Sequence, residues 1–528
     1  MLAGMTPILR DVSKTPILGR MRSRNRIRPS IIAFTFSGLL GTMLVSPRFS
    51  INVPSLVDDW AAIARSPAQI ENLSSLATRD SQRFRPGWIV WNYLQWHTLG
   101  APAHMFSPNV WGIGRLLVLA AGLAALTALV LRSAPDSIAP PARFALIVLP
   151  GLIVLTVPQF AVDLARFGPQ EPLLIGGMAL GASLLVLACR ELLDTSHAIR
   201  KWRLTAEALP GYILWVVGAY QKEVSVCVLA AGPFIVAAGW QTWVRQVHPL
   251  AARRRLLLAS AALLVLLPLL HVAIEVFRIA SAGPLVYGAE VSPGPQGIHR
   301  LLDAVRNMTQ STGSLVGLLL LATLPAVIGA CVVRRRPMML EAGLVACGIT
   351  ALVWSSQAAV FPSRYYMPTV ALLAVALASF VARLRLPRRV CLVAAAMLVA
   401  IVAASSVSSY RAVRDWSADE RQSALLVRTV AQLHSTGCPI FASGLDPERR
   451  QALPVLVRLQ RVAHSRCVGP EAFIVRGSGQ GASALFNVCA GAETEIGRWR
   501  LNDLSVVVLR CDAVAAGGRA PVEARRLL

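Results

Sequence analysis

The sequence predicts an all-α, multi-pass membrane bundle followed by a small α+β domain. Hydrophobic residues make up 55% of the 528 residues and charged residues only 15%, and the mean hydropathy is +0.57. Apolar runs near twenty residues recur along the chain, and this is the length that crosses a bilayer as a helix. The composition therefore excludes an ordinary soluble protein.

About eleven apolar segments are long enough to be membrane helices. The first follows a long basic stretch and has no A-x-A-like cleavage site after it, so we interpret it as a retained helix and not as a signal peptide. The predicted spans are 30–46, 113–132, 143–160, 172–189, 208–220, 224–240, 256–279, 314–333, 339–360, 367–382 and 390–406.

Basic residues alternate between the connections, and this alternation predicts the orientation of the chain. Short loops rich in Lys and Arg stay in the cytoplasm, which places the basic tail, residues 1–29, inside. An odd number of spans then places residues 407–528 outside a plasma or inner membrane. The net charge of +25 does not indicate a nucleic-acid partner, because the basic residues lie at the ends of apolar runs and form no single basic face.

The segment 407–528 predicts an extracytoplasmic domain. A helix-like stretch, 418–434, precedes the short apolar runs 439–442, 473–475 and 504–509, which are separated by Gly, Pro and Asp as in a small α+β fold. Four cysteines in an oxidising compartment predict two disulfides, with three connectivities open, and free buried thiols are the alternative. These cysteines are Cys438, Cys467, Cys489 and Cys511.

The transmembrane part, 30–406, has its largest polar connection at 47–112, directly after the first span. It carries the adjacent carboxylates Asp58 and Asp59, then an Arg-Pro-Gly-Trp stretch that contains Arg85, and then His97. The aromatic spacing after the Arg-Pro sequence predicts a helix that lies in the membrane interface. The two aspartates are candidate catalytic groups, and a solvated helix cap is the alternative.

Three later outer connections are short and carry few polar groups. Glu171 lies in a Gln-Glu-Pro sequence, and Lys222 and Glu223 form a Lys-Glu pair between two apolar helices. Charge so close to the membrane marks a candidate site, with an exposed hairpin tip as the alternative. Arg364 and Tyr365 precede the tenth span, where a guanidinium can bind a lipid phosphate; an interfacial anchor is the alternative.

The order of these motifs resembles the GT-C class of integral-membrane glycosyltransferases, over roughly residues 30–385. The resemblance consists of the acidic pair after the first helix, the Arg-Pro with aromatics, the stretch from His104 to Asn109, Gln-Glu-Pro, Lys-Glu and a late Arg-Tyr-Tyr-x-Pro. It implies an enzyme similar to protein mannosyltransferases and arabinosyltransferases. Such enzymes take a sugar from a polyprenyl phosphate or diphosphate at the outer leaflet and pass it to a glycan, lipid or protein acceptor of the cell envelope.

The resemblance also implies residue roles. Asp58 or Asp59 would be the general base of an inverting displacement, and which of them acts stays open. Cations would neutralise the phosphate, so that no metal or other cofactor is expected, although a diphosphate donor would benefit from a divalent cation. The residues expected to contact substrate are Arg85, His97, Glu171, Lys222, Glu223, Arg364 and Tyr365.

Two other classes of protein remain as alternatives. A transporter or flippase of lipid-linked sugars would use the same cavity without chemistry. Transporters commonly have interrupted helices and polar residues at mid-membrane depth, whereas the polar residues here lie near one face. A non-catalytic envelope scaffold is the other alternative. The expected partners are a polyprenyl-phosphate-linked sugar, its acceptor and membrane lipids.

Overall fold

The computed structural model describes the helices and strands of the chain with gaps between them. All structural statements below concern these residues. They are 16–50, 87, 90, 91, 94, 108–131, 138, 140–166, 170–193, 201–231, 262, 265–274, 277, 298–334, 339–356, 363–384, 388–445, 449, 453–454, 457, 465–467, 471–478, 492–501, 504–512 and 525–526.

Most of the described chain is helical, and the protein is a multi-pass membrane protein. Within the described residues, six helices are long and apolar enough to cross a membrane, or seven if one bent pair counts as a span. The predicted count of about eleven stays a prediction. The helices are α1 Pro16–Val45, α2 Pro108–Leu131, α3 Pro140–Leu155, α4 Pro158–Ala165, α5 Glu171–Leu193, α6 Lys201–Ala219, α7 Val265–Ile274, α8 Ile298–Thr312, α9 Ser314–Arg334, α10 Met339–Ser356, α11 Met367–Arg383 and α12 Arg388–Ser435.

Helix α11 lies at the centre of the bundle. It packs against α10, α3, α9 and α2, and Ala371, Ala374 and Ala378 on it are fully buried. Small side chains let neighbouring helices approach closely, which is how helices associate where water supplies no hydrophobic driving force. The position of α11 therefore fixes the short turn that precedes it.

Glycines of helix α5 allow it to pack closely against both α2 and α6. A Cβ atom on Gly176 would lie 2.5 Å from the Val118 carbonyl oxygen of α2, and one on Gly181 would lie 2.7 Å from the Trp215 amide nitrogen of α6. Neither position has room for a side chain. These close contacts set the height of α5, and so the location of its first residue, Glu171.

The predicted span 143–160 is not one straight helix. It breaks between α3 and α4 with a bend of 76°, because Pro158 cannot supply a backbone N–H and disfavours helical geometry in the residue before it. The break leaves the Thr156 carbonyl without a helical donor, and the buried Ser409 hydroxyl donates to it at 2.7 Å. The predicted span 224–240 also differs, since its described part, 224–231, belongs to the 3-10 helix Glu223–Ala231.

Two separate helices predicted at 390–406 and 418–434 are in fact one. Helix α12 runs without a break for 48 residues. The apolar pattern changes along it because its first half is largely exposed at the bundle periphery, while Val427 and Val430 near its end are fully buried against a β-sheet. The prediction of two helices was therefore wrong because the burial of the side chains changes along α12, while the backbone stays helical.

The sheet has five strands in the order β3-β4-β2-β1-β5. Strands β1 and β2 are parallel, and the other neighbours are antiparallel. The predicted apolar runs coincide with β1, β2 and β4, whereas β3 and β5 were not predicted. The division into a membrane part and an outer domain stays a prediction. The strands are β1 Ile440–Ser443, β2 Ala472–Gly477, β3 Glu493–Leu501, β4 Leu504–Cys511 and β5 Arg525–Arg526.

Disulfide bonding in this segment agrees with the prediction as far as the structure describes it. Cys438, just before β1, is bonded to Cys467. Cys511 at the end of β4 is disulfide-bonded as well, and Cys489 lies outside the described residues. The cysteines described as free, Cys227 and Cys347, are buried in the bundle.

Candidate substrate site

Four side chains from three connections meet at one end of the bundle, and we call them the Lys222 cluster. Glu171 begins α5. Lys222 lies between the end of α6 and the 3-10 helix that follows it, and Arg364 and Tyr365 lie in the 3-10 turn that leads into α11. The sequence predicted each of these residues as a contact to substrate, and the fold brings them together.

A buried ion pair joins the first two members of the cluster. The Lys222 ammonium donates to Oε1 of Glu171, and the two side chains are 12% and 2% exposed. Removing two charges from water is costly, and their attraction compensates for it only when the geometry is good. The sequence indicated no partner for Lys222, and the structure describes one in the preceding connection, Glu171.

The second contact of Lys222 is aromatic. Its ammonium lies 3.5 Å from the centre of the Tyr365 ring, and the guanidinium carbon of Arg364 lies 5.8 Å from the same centre. Both cations are within the range in which the ring quadrupole attracts a positive charge. Arg364 also acts electrostatically on Glu171. Two positive groups thus share one aromatic ring and one carboxylate.

The turn that carries Arg364 and Tyr365 is held from both sides. The Ser355 hydroxyl of α10 is 3.0 Å from the Tyr365 carbonyl oxygen, to which it donates. The next residue, Tyr366, is fully buried, and Pro368 stands in the first turn of α11, where its fixed φ suits a helix start. The turn is therefore a rigid part of the site.

A second buried ion pair lies at the opposite end of the α10–α11 hairpin. Glu341 is fully buried, its Oε1 atom lies 2.6 Å from Nε of Arg383, and the Ser379 hydroxyl donates to it at 2.5 Å. Both helices are thus tied at their far ends. This pair fixes their register and with it the height of the turn between them.

At Gly87, the first predicted outer connection contacts the end of α6, just before Lys222 in the chain. Its amide donates to the Tyr220 carbonyl at 3.2 Å, and a Cβ atom there would lie 2.7 Å from the Val217 carbonyl oxygen. The Tyr220 ring in turn stacks on the buried His271, with ring centres 4.8 Å apart. Sequence reasoning did not find this junction, because neither a glycine nor a tyrosine in a loop signals a distant partner.

Helical residues follow Gly87, as predicted for an interface helix. Val90, Trp91 and Leu94 are helical, and the side chains of Val90 and Leu94 are each 43% exposed. Exposed apolar side chains on one helix agree with a position at a lipid surface.

Several predicted site residues lie outside the part of the chain that the structure describes. They are Asp58, Asp59, Arg85 and His97, together with the side chain of Glu223. Their roles stay predictions. Arg85 is two residues before Gly87 in the chain, and Gly87 is the residue that donates to the Tyr220 carbonyl.

Comparison with known proteins comes from solved structures alone. No family model matches the chain, and no curated protein matches it. The chain is similar to ArnT. Two crystal structures of ArnT from Cupriavidus metallidurans match with 13% identity: one bound to undecaprenyl phosphate, covering 91% of this chain and 97% of that chain at a TM-score of 0.49, and one in the apo state, covering 93% and 98% at 0.46.

An identity of 13% assigns no residue role and no substrate to this chain, so the chemistry has to be argued from its own side chains.

The charge balance of the Lys222 cluster indicates what it can bind. Lys222 and Arg364 are both positive and Glu171 is the only acidic member, so the cluster carries a net positive charge. Guanidinium and ammonium groups at a helix start bind phosphate oxygens well. The positive charges that the described part of the site presents to a phosphate are those of Lys222 and Arg364. Among the described residues, no group of three or more His, Cys, Asp or Glu side chains could hold a metal ion.

Proposed function

We propose that this protein is a membrane glycosyltransferase that moves a sugar from a polyprenyl-phosphate donor to an acceptor of the cell envelope. The observation that carries the proposal is the position of Lys222, held between the Glu171 carboxylate and the Tyr365 ring with Arg364 beside it. A cationic site at the end of membrane helices suits a phosphate at the bilayer surface whose lipid chain lies in the membrane.

The reaction follows from the chemistry of such a donor. An acceptor hydroxyl attacks the anomeric carbon, the bond between that carbon and the phosphate oxygen breaks, and the polyprenyl phosphate leaves with the electron pair. Lys222 and Arg364 stabilise the charge that develops on the leaving phosphate. The acceptor proton passes to Asp58 or Asp59 as general base, and attack from the side opposite the phosphate inverts the anomeric centre.

Glu171 acts on Lys222 in this scheme. Its carboxylate accepts a hydrogen bond from the Lys222 ammonium, so we assign it the role of positioning that ammonium group. Because Glu171 is the first residue of a helix held by glycine contacts on two sides, it is a fixed anchor. A flexible lysine anchored in this way loses less entropy when phosphate binds.

The proposal is tested by following the leaving group. Purified protein in liposomes would receive a lipid extract containing polyprenyl-phosphate sugars together with envelope acceptors, and mass spectrometry would measure the free polyprenyl phosphate formed. We expect Asp58→Asn or Asp59→Asn to reduce this release about 10²-fold to 10⁴-fold. Asp80→Asn, in the same connection, is the matched control and should keep the wild-type rate.

Full release by both variants would overturn the assignment of the base. Absence of any release by the wild-type protein would overturn the transferase itself.

A transporter of lipid-linked sugars is the second candidate, because the bend of 76° between α3 and α4 is a feature of transporter helices. The two functions differ in their products. A transporter moves the intact lipid-linked sugar across the membrane and leaves its mass unchanged, whereas the transferase converts it to polyprenyl phosphate and a glycosylated acceptor.

A further inference from the structure

Residues 220–222 connect α6 to the 3-10 helix that follows it, and we call them the Lys222 turn. The Tyr220 amide donates to the Val216 carbonyl oxygen at 2.9 Å, which continues the bonding pattern of α6. On the other side, the Ser225 amide donates to the Lys222 carbonyl oxygen at 3.1 Å. The turn is therefore held by backbone hydrogen bonds at both of its ends.

Tyr220 has two further contacts, and they come from different parts of the chain. Its carbonyl oxygen accepts the Gly87 amide at 3.2 Å. Its ring stacks on the imidazole of His271, with ring centres 4.8 Å apart and an angle of 19° between the planes, which is a separation at which aromatic rings attract each other. The amide, the carbonyl and the ring of Tyr220 each have a partner.

Helix α7 supplies the imidazole and packs on the same region with a second side chain. His271 is fully buried. Leu267, four residues earlier and so on the same face of α7, packs against a core cluster that contains Val224 and Cys227 of the 3-10 helix. A polar side chain buried in a membrane bundle is costly and marks a functional position. An apolar residue could fill the same space, so the imidazole at this position calls for a specific role.

The Lys222 ammonium depends on the backbone position that this turn provides. It meets the Glu171 carboxylate of α5 and lies 3.5 Å from the centre of the Tyr365 ring. These two partners belong to elements that are held separately from the turn. A lysine side chain is long and flexible, so the ammonium reaches both partners only while the backbone at position 222 stays in place.

We propose that His271 is a positioning residue for Lys222: by stacking on Tyr220 it fixes the turn that presents the Lys222 ammonium to a phosphate. The inference rests on the function proposed above and adds to it a residue of α7 that does not touch the substrate. Loss of the imidazole should therefore weaken recognition of the phosphate and leave recognition of the lipid chain unchanged.

The test compares the affinity of the full-length protein for polyprenyl phosphate and for the corresponding polyprenol, which has no phosphate. We expect His271→Leu to bind polyprenyl phosphate about 10-fold more weakly, because a displaced ammonium loses a charge-assisted hydrogen bond, and to bind polyprenol as the wild-type protein does. His271→Phe keeps a ring that can stack on Tyr220 and should restore most of the phosphate affinity. Leu270→Ala is the matched control, because it removes an exposed side chain from the adjacent position of α7 and should change neither affinity.

A second set of variants shows whether His271 acts through Lys222. The background is Lys222→Met with Glu171→Gln, in which both charges of the ion pair are absent. His271→Leu should cause no further loss of phosphate affinity there, because two changes that remove the same interaction are not additive. A loss of equal size in this background and in the wild-type protein would overturn the inference.

Hydrogen exchange followed by mass spectrometry reports the positioning without any ligand. The amides of residues 220–231 should exchange faster in His271→Leu than in the wild-type protein, and at the wild-type rate in His271→Phe. The sheet should exchange at the wild-type rate in both variants.

The outcomes separate this inference from the function on which it rests. Unchanged phosphate affinity and unchanged exchange in His271→Leu would overturn the inference and leave the transferase intact. Faster exchange throughout the protein, with loss of affinity for both ligands, would also overturn it, because His271 would then serve stability alone. If the wild-type protein binds polyprenyl phosphate no more tightly than polyprenol, the proposed phosphate site fails, and the exchange of residues 220–231 alone decides whether His271 fixes the turn.

Discussion

Replacing Lys222 by methionine should destabilise the protein, and the reason is the carboxylate that the substitution leaves behind. The Glu171 side chain is 2% exposed, and methionine would cover it without neutralising it. Removing one partner of a buried ion pair costs about 3–5 kcal/mol of unfolding free energy. Adding Glu171→Gln removes the remaining charge, so the double variant should be more stable than Lys222→Met alone and should approach the wild-type protein within about 1–2 kcal/mol.

Equilibrium unfolding in mixed micelles, with the four proteins of this double-mutant cycle, measures the coupling directly. Arg414→Met is the control for loss of a surface cation, because Arg414 and its partner Asp415 are 57% and 68% exposed, and such pairs contribute about 0–1 kcal/mol. If the effects of Lys222→Met and Glu171→Gln simply add, the two side chains do not form the buried pair, and the argument from Lys222 is refuted.

Two further predictions concern the scaffold. Gly176→Leu should prevent normal packing of α5 and abolish a cooperative unfolding transition, because a Cβ atom at this position would lie 2.5 Å from the Val118 carbonyl oxygen. The control is Gly329→Ala, where a Cβ atom has nothing within 4 Å; it should be tolerated and can stabilise α9 by up to about 1 kcal/mol. Size-exclusion chromatography and thermal unfolding compare the two variants. Cys438→Ser should lower the unfolding free energy of the sheet by about 3–4 kcal/mol, because the bond to Cys467 closes a loop with a sequence separation of 29 and so constrains the unfolded chain. Reductant should likewise lower the unfolding free energy of the wild-type protein.

Parts of the fold that depend on local sequence were predictable, and α9 is an example. Its apolar run is bounded by Gly313, which has a positive φ of 84°, and by a run of arginines, so the predicted span 314–333 and the helix Ser314–Arg334 nearly coincide. The break before Pro158 could also have been inferred, because proline constrains the residue before it, but hydropathy alone does not detect it.

Contacts between distant residues were not predictable in the same way. The sequence identified both Glu171 and Lys222 as candidate site residues, but they are 51 positions apart, and no spacing rule connects them. No spacing rule connects Trp416 with Arg48 and Arg166 either, although their guanidinium carbons lie 5.7 Å and 5.8 Å from the centre of its ring. A single sequence shows which side chains are unusual for a membrane segment, whereas the packing of glycines and alanines between helices decides which of them meet.

The central claim is that the Lys222 cluster holds a polyprenyl phosphate, and native mass spectrometry with lipid extraction tests it most directly. The wild-type protein and Arg364→Ala would be purified in the same detergent and analysed side by side. A polyprenyl phosphate or its sugar conjugate that co-purifies with the wild-type protein and is lost from Arg364→Ala is the result we predict. Bulk phospholipid alone in both samples, after incubation with added polyprenyl phosphate, would contradict the claim.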